Sequence, residues 1–222
     1  KRVSALHARV SELETKMEED EKEIALLQRR VKQSRAWVLE STILQSSDMG
    51  ILKNLLKAPL STALKKNDDD GDAISFRLIY RNSRDGGSVS AFHAACDGKP
   101  NTLTICLTNY GHLCGGYTSA TWSSPSDQEA ERKRDEFAFL FLVRGGFKDS
   151  KAKIYKIKEE KKQFAIDCRS KYGPIFGAGH DLVIQRTGFG TSNINVYSRL
   201  GATYGSSANY GNELVGGEKY IK

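Results

Sequence analysis

Residues 92–124 read FHAACDGKPNTLTICLTNYGHLCGGYTSATWSS, and the reading of this run decides the fold. Leu103, Ile105 and Leu107 alternate with Thr104 and Cys106, the period-two pattern of a half-buried strand. Asn109-Tyr110-Gly111 interrupts the alternation with turn residues, and 113–117 resumes it, which predicts an antiparallel hairpin. Gly115-Gly116 within the returning strand leaves room for a neighbouring backbone or ring. Residues 88–96 are short and helix-compatible, with Phe92 and Cys96 facing inward.

Outward from the hairpin the same style of pattern continues. FAFLFLV at 137–143 is apolar on both faces, as a central strand must be. Shorter strands are expected near 153–157, 164–168, 182–185 and 195–197, divided by Gly-containing turns. Residues 123–134 are polar and charged and read as a surface loop with some helix. Upstream, Phe76, Leu78 and Tyr80 alternate as a first strand, and SRDGG at 83–87 forms a turn. Within it Arg84, Asp85 and Gly86 read as a turn-locking set, Gly supplying positive φ. Several short strands with turn signals between them indicate an α+β, mainly β chain: an antiparallel β-sandwich flanked by short helices.

The N-terminal 40 residues are of another kind. Val3, Val10, Met17, Ile24 and Val31 recur every seventh position, Val38 continues the set, and Leu6, Leu13 and Leu27 fill the intermediate site of each heptad. No Gly or Pro interrupts 1–40, so one long helix is expected. A stripe this narrow makes no core by itself, and β-branched residues at one site with Leu at the other favour a parallel two-stranded coil. Homodimer and hetero-coil both fit, with Asp20 weakening the seam or marking a differing partner. The simpler alternative is an amphipathic helix lying on its own domain. Residues 49–64 carry a second apolar set, with Ser47 and Asp48 as N-cap candidates and Pro59 expected to end or kink the helix. The predicted organisation is a coiled-coil helix over 1–40 and a sandwich domain over 41–222. The first residue is Lys1, which suggests a fragment, and a strand beginning at Lys219 is expected to be cut at Lys222.

The charge of +7 is partly local. Lys148, Lys151, Lys153, Lys156, Lys158, Lys161 and Lys162 face only Asp149, Glu159 and Glu160 in sequence. That surface suits an acidic protein such as tubulin, or simply keeps the protein soluble. No aromatic-and-Arg pattern of an RNA-binding sheet accompanies it, so nucleic acid ranks third among partners. No apolar run is long enough to span a bilayer. Cys96, Cys106, Cys114 and Cys168 form no CxxC, and no Asn-x-Ser/Thr acceptor occurs, which points to free thiols in a reducing, cytoplasmic setting.

No GxSxG, HExxH or P-loop is present. Cys96 with His93 or His180 is a conceivable nucleophile pair, and His93, Cys96, Cys106 and Cys114 a conceivable zinc set. Core or turn roles fit these residues better, since Cys106 lies on the threonine face, opposite Leu103, Ile105 and Leu107. NDDDGD at 67–72 has the composition of a calcium loop without its alternation or its closing Glu. Gly177-Ala178-Gly179 precedes a strand rather than a helix, so it reads as a turn and not a phosphate cradle. No cofactor is expected.

Four blocks in order carry a family resemblance: LIYRNSRDGGSVSAFHAACDGKPNTLTI, GGYTSATWSS, FAFLFLV and YGPIFGAGHDLVI. Together they resemble a TLDc domain over roughly 43–222. The chain departs from that pattern at Asn82, where a Gly is common, at Gly87 and Cys114, where an aromatic is common, and at Ala178, which interrupts a glycine-rich turn. The resemblance implies a β-sandwich with a helix pair before its first strand, and no active site to carry over. It also implies roles in oxidative-stress resistance and in binding the vacuolar proton pump. The leading expectation is therefore a non-enzymatic interaction protein that oligomerises through its coil and docks on a larger assembly. A cytoskeletal or ciliary microtubule-associated component is the alternative of the same class. A thiol-dependent, peroxide-consuming enzyme using Cys96 or Cys114 is the alternative of another class.

Overall fold

The computed structural model describes residues 2–35, 39–64, 74–126, 129–145, 151–186, 194–205 and 213–216. The chain divides into two compact units, residues 1–39 with 65–77, and residues 40–64 with 78–222.

In the first unit, helix α1 (Arg2–Arg35) runs unbroken for 34 residues. At about 1.5 Å per residue it is about 51 Å long. The predicted helix is therefore present, and Val38 lies outside the described residues, as does the acidic run at 67–72.

The second unit is the predicted antiparallel sandwich. Its strands are β1 (Thr102–Leu107), β2 (Leu113–Thr118), β3 (Glu131–Lys133), β4 (Phe139–Arg144), β5 (Lys153–Lys156), β6 (Ile166–Cys168), β7 (Ile175–Phe176), β8 (Leu182–Arg186) and β9 (Ile194–Tyr197). One sheet has the order β1-β2-β4-β5 and the other β3-β6-β7-β8-β9. The hairpin pairs Leu107 with Leu113 and Cys106 with Cys114, and Asn109 to Gly111 makes the turn. Helix α3 (Val89–Cys96) precedes it, started by Ser88, whose Oγ accepts from the Ala91 amide at 3.0 Å.

β4 shows why FAFLFLV is apolar throughout. Leu140 and Leu142 join the cluster between the sheets, with Cys114, Trp122, Ile166, Phe176 and Leu182. Phe139, Phe141 and Val143, also buried, point the other way. Helix α2 (Ser46–Ala63) packs on β4, and its Leu52, Leu56 and Leu60 are buried at the spacing of one helix face. The glycine pair in β2 serves both layers. A Cβ at Gly116 would lie 2.7 Å from the Phe176 ring of the second sheet, and one at Gly115 would lie 1.9 Å from the Thr104 carbonyl oxygen.

Several local expectations are corrected. Residues 74–81 join no ladder among the described residues; the consecutive Ile79 and Tyr80 both pack against the central cluster, so the Phe76, Leu78 and Tyr80 alternation does not mark a strand. The segment expected as a loop with some helix contributes β3, which pairs with β6 from Glu131 opposite Cys168 to Lys133 opposite Ile166. β3 is an edge strand, and its three charged side chains, of which Glu131 and Arg132 are exposed, hide it from a periodicity reading. α2 begins two residues earlier than a Ser47 cap implies: Gln45 is the N-cap, and Asp48 turns back to accept from its amide at 2.9 Å. Nor does α2 end at Pro59; it continues to Ala63, held by the buried leucine face on either side of the missing amide. The expected strand from Lys219 lies outside the described residues.

Candidate functional site

The residues that look most like chemistry are spent on architecture. His93 is buried in α3, and both its ring nitrogens face oxygens. Nδ1 lies 2.8 Å from Asp97 Oδ1, and Nε2 lies 3.1 and 3.0 Å from the carbonyl oxygens of Arg169 and Tyr172. Asp97 in turn accepts from Ser124 Oγ at 2.7 Å. The set ties α3 to the segment after β2 and to the turn after β6, and leaves no ring nitrogen facing Cys96. Burial, reinforced by Asp97, pushes the Cys96 thiol up to about 12, so it stays protonated and is a poor nucleophile. Trp122 completes the joint: its Nε1 donates to Thr102 Oγ1 at 2.9 Å, and its ring meets Phe92 and Phe176 edge-on.

His180 and Asp181 do not form an oriented pair. The Asp181 carboxylate is fully buried and turned toward the backbone of 201–204. It accepts from the amides of Gly201 at 3.0 Å, Thr203 at 2.9 and 3.0 Å, and Tyr204 at 3.0 Å. Burial pushes this carboxyl up while the amide hydrogen bonds pull it down, and burial is the stronger. The His180 imidazole, pushed down by burial, meets the Tyr197 hydroxyl at 3.4 Å. The glycines before it are spatial necessities. Gly177 has φ +80°, and a Cβ there would lie 2.3 Å from Asp181 Oδ2; one at Gly179 would lie 2.1 Å from Ala202 Cβ. The run 177–180 is thus the predicted turn.

Three more carboxylates are buried, and of these the sequence marked only Asp48, as a cap candidate. Asp135 accepts from Thr118 Oγ1 and Ser119 Oγ at 2.7 Å, from the Ser119 amide at 2.6 Å and from the Phe137 amide at 2.9 Å. Asp167 takes the Arg169 guanidinium, 2.8 Å from Nη2. Asp48 takes Arg144 Nε at 2.9 Å. For Asp135 and for the Asp48–Arg144 pair the sequence neighbourhood carries no signal, because the partners come from a distant segment or from backbone.

The proposed zinc set comes together only in part. Cys106 Sγ and Cys114 Sγ are 3.4 Å apart, whereas His93 is committed as described. Among the described residues no group of three or more His, Cys, Asp or Glu is placed to hold a metal ion. Arg84 grips Asp85 through Nε at 2.6 Å and Nη2 at 2.9 Å, and Asp85 Oδ2 accepts from the Arg81 amide at 2.7 Å. Gly86 continues the turn at φ +89°.

Two surfaces remain. On α1, Val3, Leu6, Val10, Leu13, Met17, Ile24, Leu27 and Val31 are all exposed, from 47% at Leu13 to 66% at Val3. Of the seven lysines, Lys148 lies outside the described residues, and the rest span β5 and the 3-10 helix Glu159–Phe164 with the residues beside them. Lys151 and Lys156 are exposed and Lys161 is half-buried. Three reach into their own chain: Lys153 to Glu213 at 3.1 Å, Lys162 to Glu159 at 2.6 Å, and Lys158 to the Gly201 carbonyl. None of the helices among the described residues is long and apolar enough to cross a membrane.

Compared with protein-family models, residues 41–221 match the TLDc domain. No curated protein matches the chain.

Proposed function

This chain belongs to the TLDc domain family, and from that membership we propose that it is a non-enzymatic interaction protein whose helix α1 pairs with a second helix while its sandwich docks on a larger protein assembly. The family is one of non-catalytic domains often linked to oxidative stress. The observation that carries the pairing is the α1 stripe. Eight large apolar side chains at heptad spacing are each about half exposed or more, an arrangement that a partner helix would cover. A second copy of the same chain is the simplest partner, because Val, Ile and Met at one heptad site with Leu at the other suit a parallel two-stranded coil.

For the docking role, the resemblance favours subunits of the vacuolar proton pump in the cytoplasm. The commitments of His93, Asp181 and Cys96 to packing support a domain that works by its surface. The microtubule reading has less support, since three of its lysines engage acceptors in their own chain.

Sedimentation equilibrium on the whole chain tests the pairing. The wild-type chain is expected at twice its monomer mass, and the double variant Leu13→Lys/Ile24→Lys at the monomer mass. A wild-type chain that stays monomeric across the concentration range, with no helical partner recovered by native pull-down, removes the coiled-coil reading. The same pull-down with mass identification distinguishes pump subunits from tubulin.

A further inference from the structure

We propose that Cys106 and Cys114 form a redox-sensitive dithiol that hydrogen peroxide closes into an intrachain disulfide across the β1–β2 hairpin. The two residues are direct register partners on adjacent antiparallel strands. Opposed residues in such a ladder have Cα atoms about 4.5–5.5 Å apart, inside the roughly 4.4–6.8 Å that a disulfide spans. Their sulfurs are already 3.4 Å apart and both are free. Bond formation at about 2.0 Å therefore asks for a small side-chain adjustment and no change of register.

The two thiols differ in access, which sets the order of events. Cys106 is half-buried on β1, an edge strand of its sheet, whereas Cys114 is fully buried. Its hydrogen bond with Cys106, together with burial, holds the Cys114 thiol well above the usual range. A small oxidant thus meets Cys106 first. The Cys106 thiolate attacks one peroxide oxygen, the O–O bond breaks, and the departing hydroxide takes up a proton as water, leaving a sulfenic acid on Cys106. Cys114 sulfur then attacks the Cys106 sulfur; the S–S bond forms, the S–O bond breaks, and a second water carries off the hydroxyl with the Cys114 proton. Two thiols are oxidised by two electrons in total and one peroxide is reduced to two waters. A small-molecule thiol reverses the change.

Cys96 and Cys168 serve as internal controls, since both are buried and neither has a sulfur neighbour among its hydrogen-bond partners. The disulfide would pin the end of β1 to β2 beside the 108–112 turn, stiffening an edge that a partner could contact. This holds whether or not α1 pairs, so it stands apart from the function proposed above.

The test treats the folded, reduced chain with hydrogen peroxide, removes the oxidant, unfolds the protein and alkylates it. Before treatment all four cysteines take the label. Afterwards the expected result is loss of label from Cys106 and Cys114 only, with full recovery after a thiol reductant. Chymotryptic cleavage after Tyr110 places the two cysteines on separate peptides, which should remain joined in the oxidised sample alone. In Cys114→Ala, a dimedone adduct on Cys106 is expected; in Cys106→Ser, none on Cys114. Full labelling of both cysteines after peroxide, a bridge that forms only once circular dichroism shows unfolding, or linkage through Cys96 or Cys168 would each overturn the proposal.

Discussion

Asp85 sits in a turn where its carboxylate takes two bonds from the Arg84 guanidinium and one from the Arg81 amide. The Arg84 hydrogen bond, more than any other cause, holds this carboxyl down at about 2, below the ordinary aspartate value of about 3.9. A carboxyl lowered in the folded state stabilises the fold at pH above the unfolded value, and that contribution is lost as pH falls toward about 2. NMR titration of the Asp85 side-chain carbon should therefore show a midpoint near 2, moving up toward the ordinary range in Arg84→Ala, where the Arg81 amide still donates. An unshifted midpoint in the wild-type chain would remove the turn-locking role. Single residues were legible in sequence only where the signal is local. Arg84, Asp85 and Gly86 are consecutive, so their joint role in a turn could be read directly. Asp181 stands beside His180 in sequence, yet its carboxylate faces backbone about 20 residues further on. The amides of Gly201, Thr203 and Tyr204, rather than the neighbouring imidazole, claim the carboxylate.

At the scale of elements, α2 meets the hairpin sheet through one ion pair as well as through its leucines. Arg144, at the end of β4, donates from Nε to Asp48 Oδ1 and from Nη1 to the Gly111 carbonyl, each at 2.9 Å. The Asp48 side chain is 1% exposed and that of Arg144 31%. Replacing Arg144 by Met leaves a buried carboxylate with only the helix N-cap as partner. Such losses cost about 3–5 kcal/mol when both partners are buried, and partial exposure of Arg144 lowers the expectation to roughly 2 kcal/mol. Chemical denaturation should show this as a lower midpoint at unchanged slope. Asp48→Asn in the same background should recover part of it, because the stranded charge is gone. Equal stability of Arg144→Met and wild type would contradict the assignment. Sequence reading found strands long enough to show a buried alternating or doubly apolar set, and passed over β7, whose two buried residues Ile175 and Phe176 are too few to show a period. β3 escaped because an edge strand of Glu, Arg and Lys has no apolar side to display.

For the whole molecule, two compact units of different character should respond differently to dilution. If α1 pairs between copies, its melting is linked to association and shifts upward with protein concentration. The sandwich has its own core and should melt at a fixed temperature. Far-UV circular dichroism, dominated by α1, is thus expected to show a concentration-dependent phase, while the near-UV signal of Trp122 and the packed aromatics does not move. A helical phase independent of concentration over a hundredfold range (on the order of 3 kcal/mol in mass action) would argue for a helix that stands without a partner.

The sequence by itself determined the long α1 helix, the hairpin, the doubly apolar β4, the antiparallel sandwich and the family. Each of these is written in a short-range period or an ordered set of motifs, and burial on one face enforces such periods locally. Only the tertiary structure decided what His93, Asp181, Cys106 and Cys114 do. Those roles depend on which strands become neighbours and in which register. That pairing set Cys106 opposite Cys114 and, between the sheets, laid Phe176 over Gly116. It also closed the 201–204 segment around Asp181. No local period encodes such meetings, because a buried polar group is satisfied by whatever donor the fold brings to it.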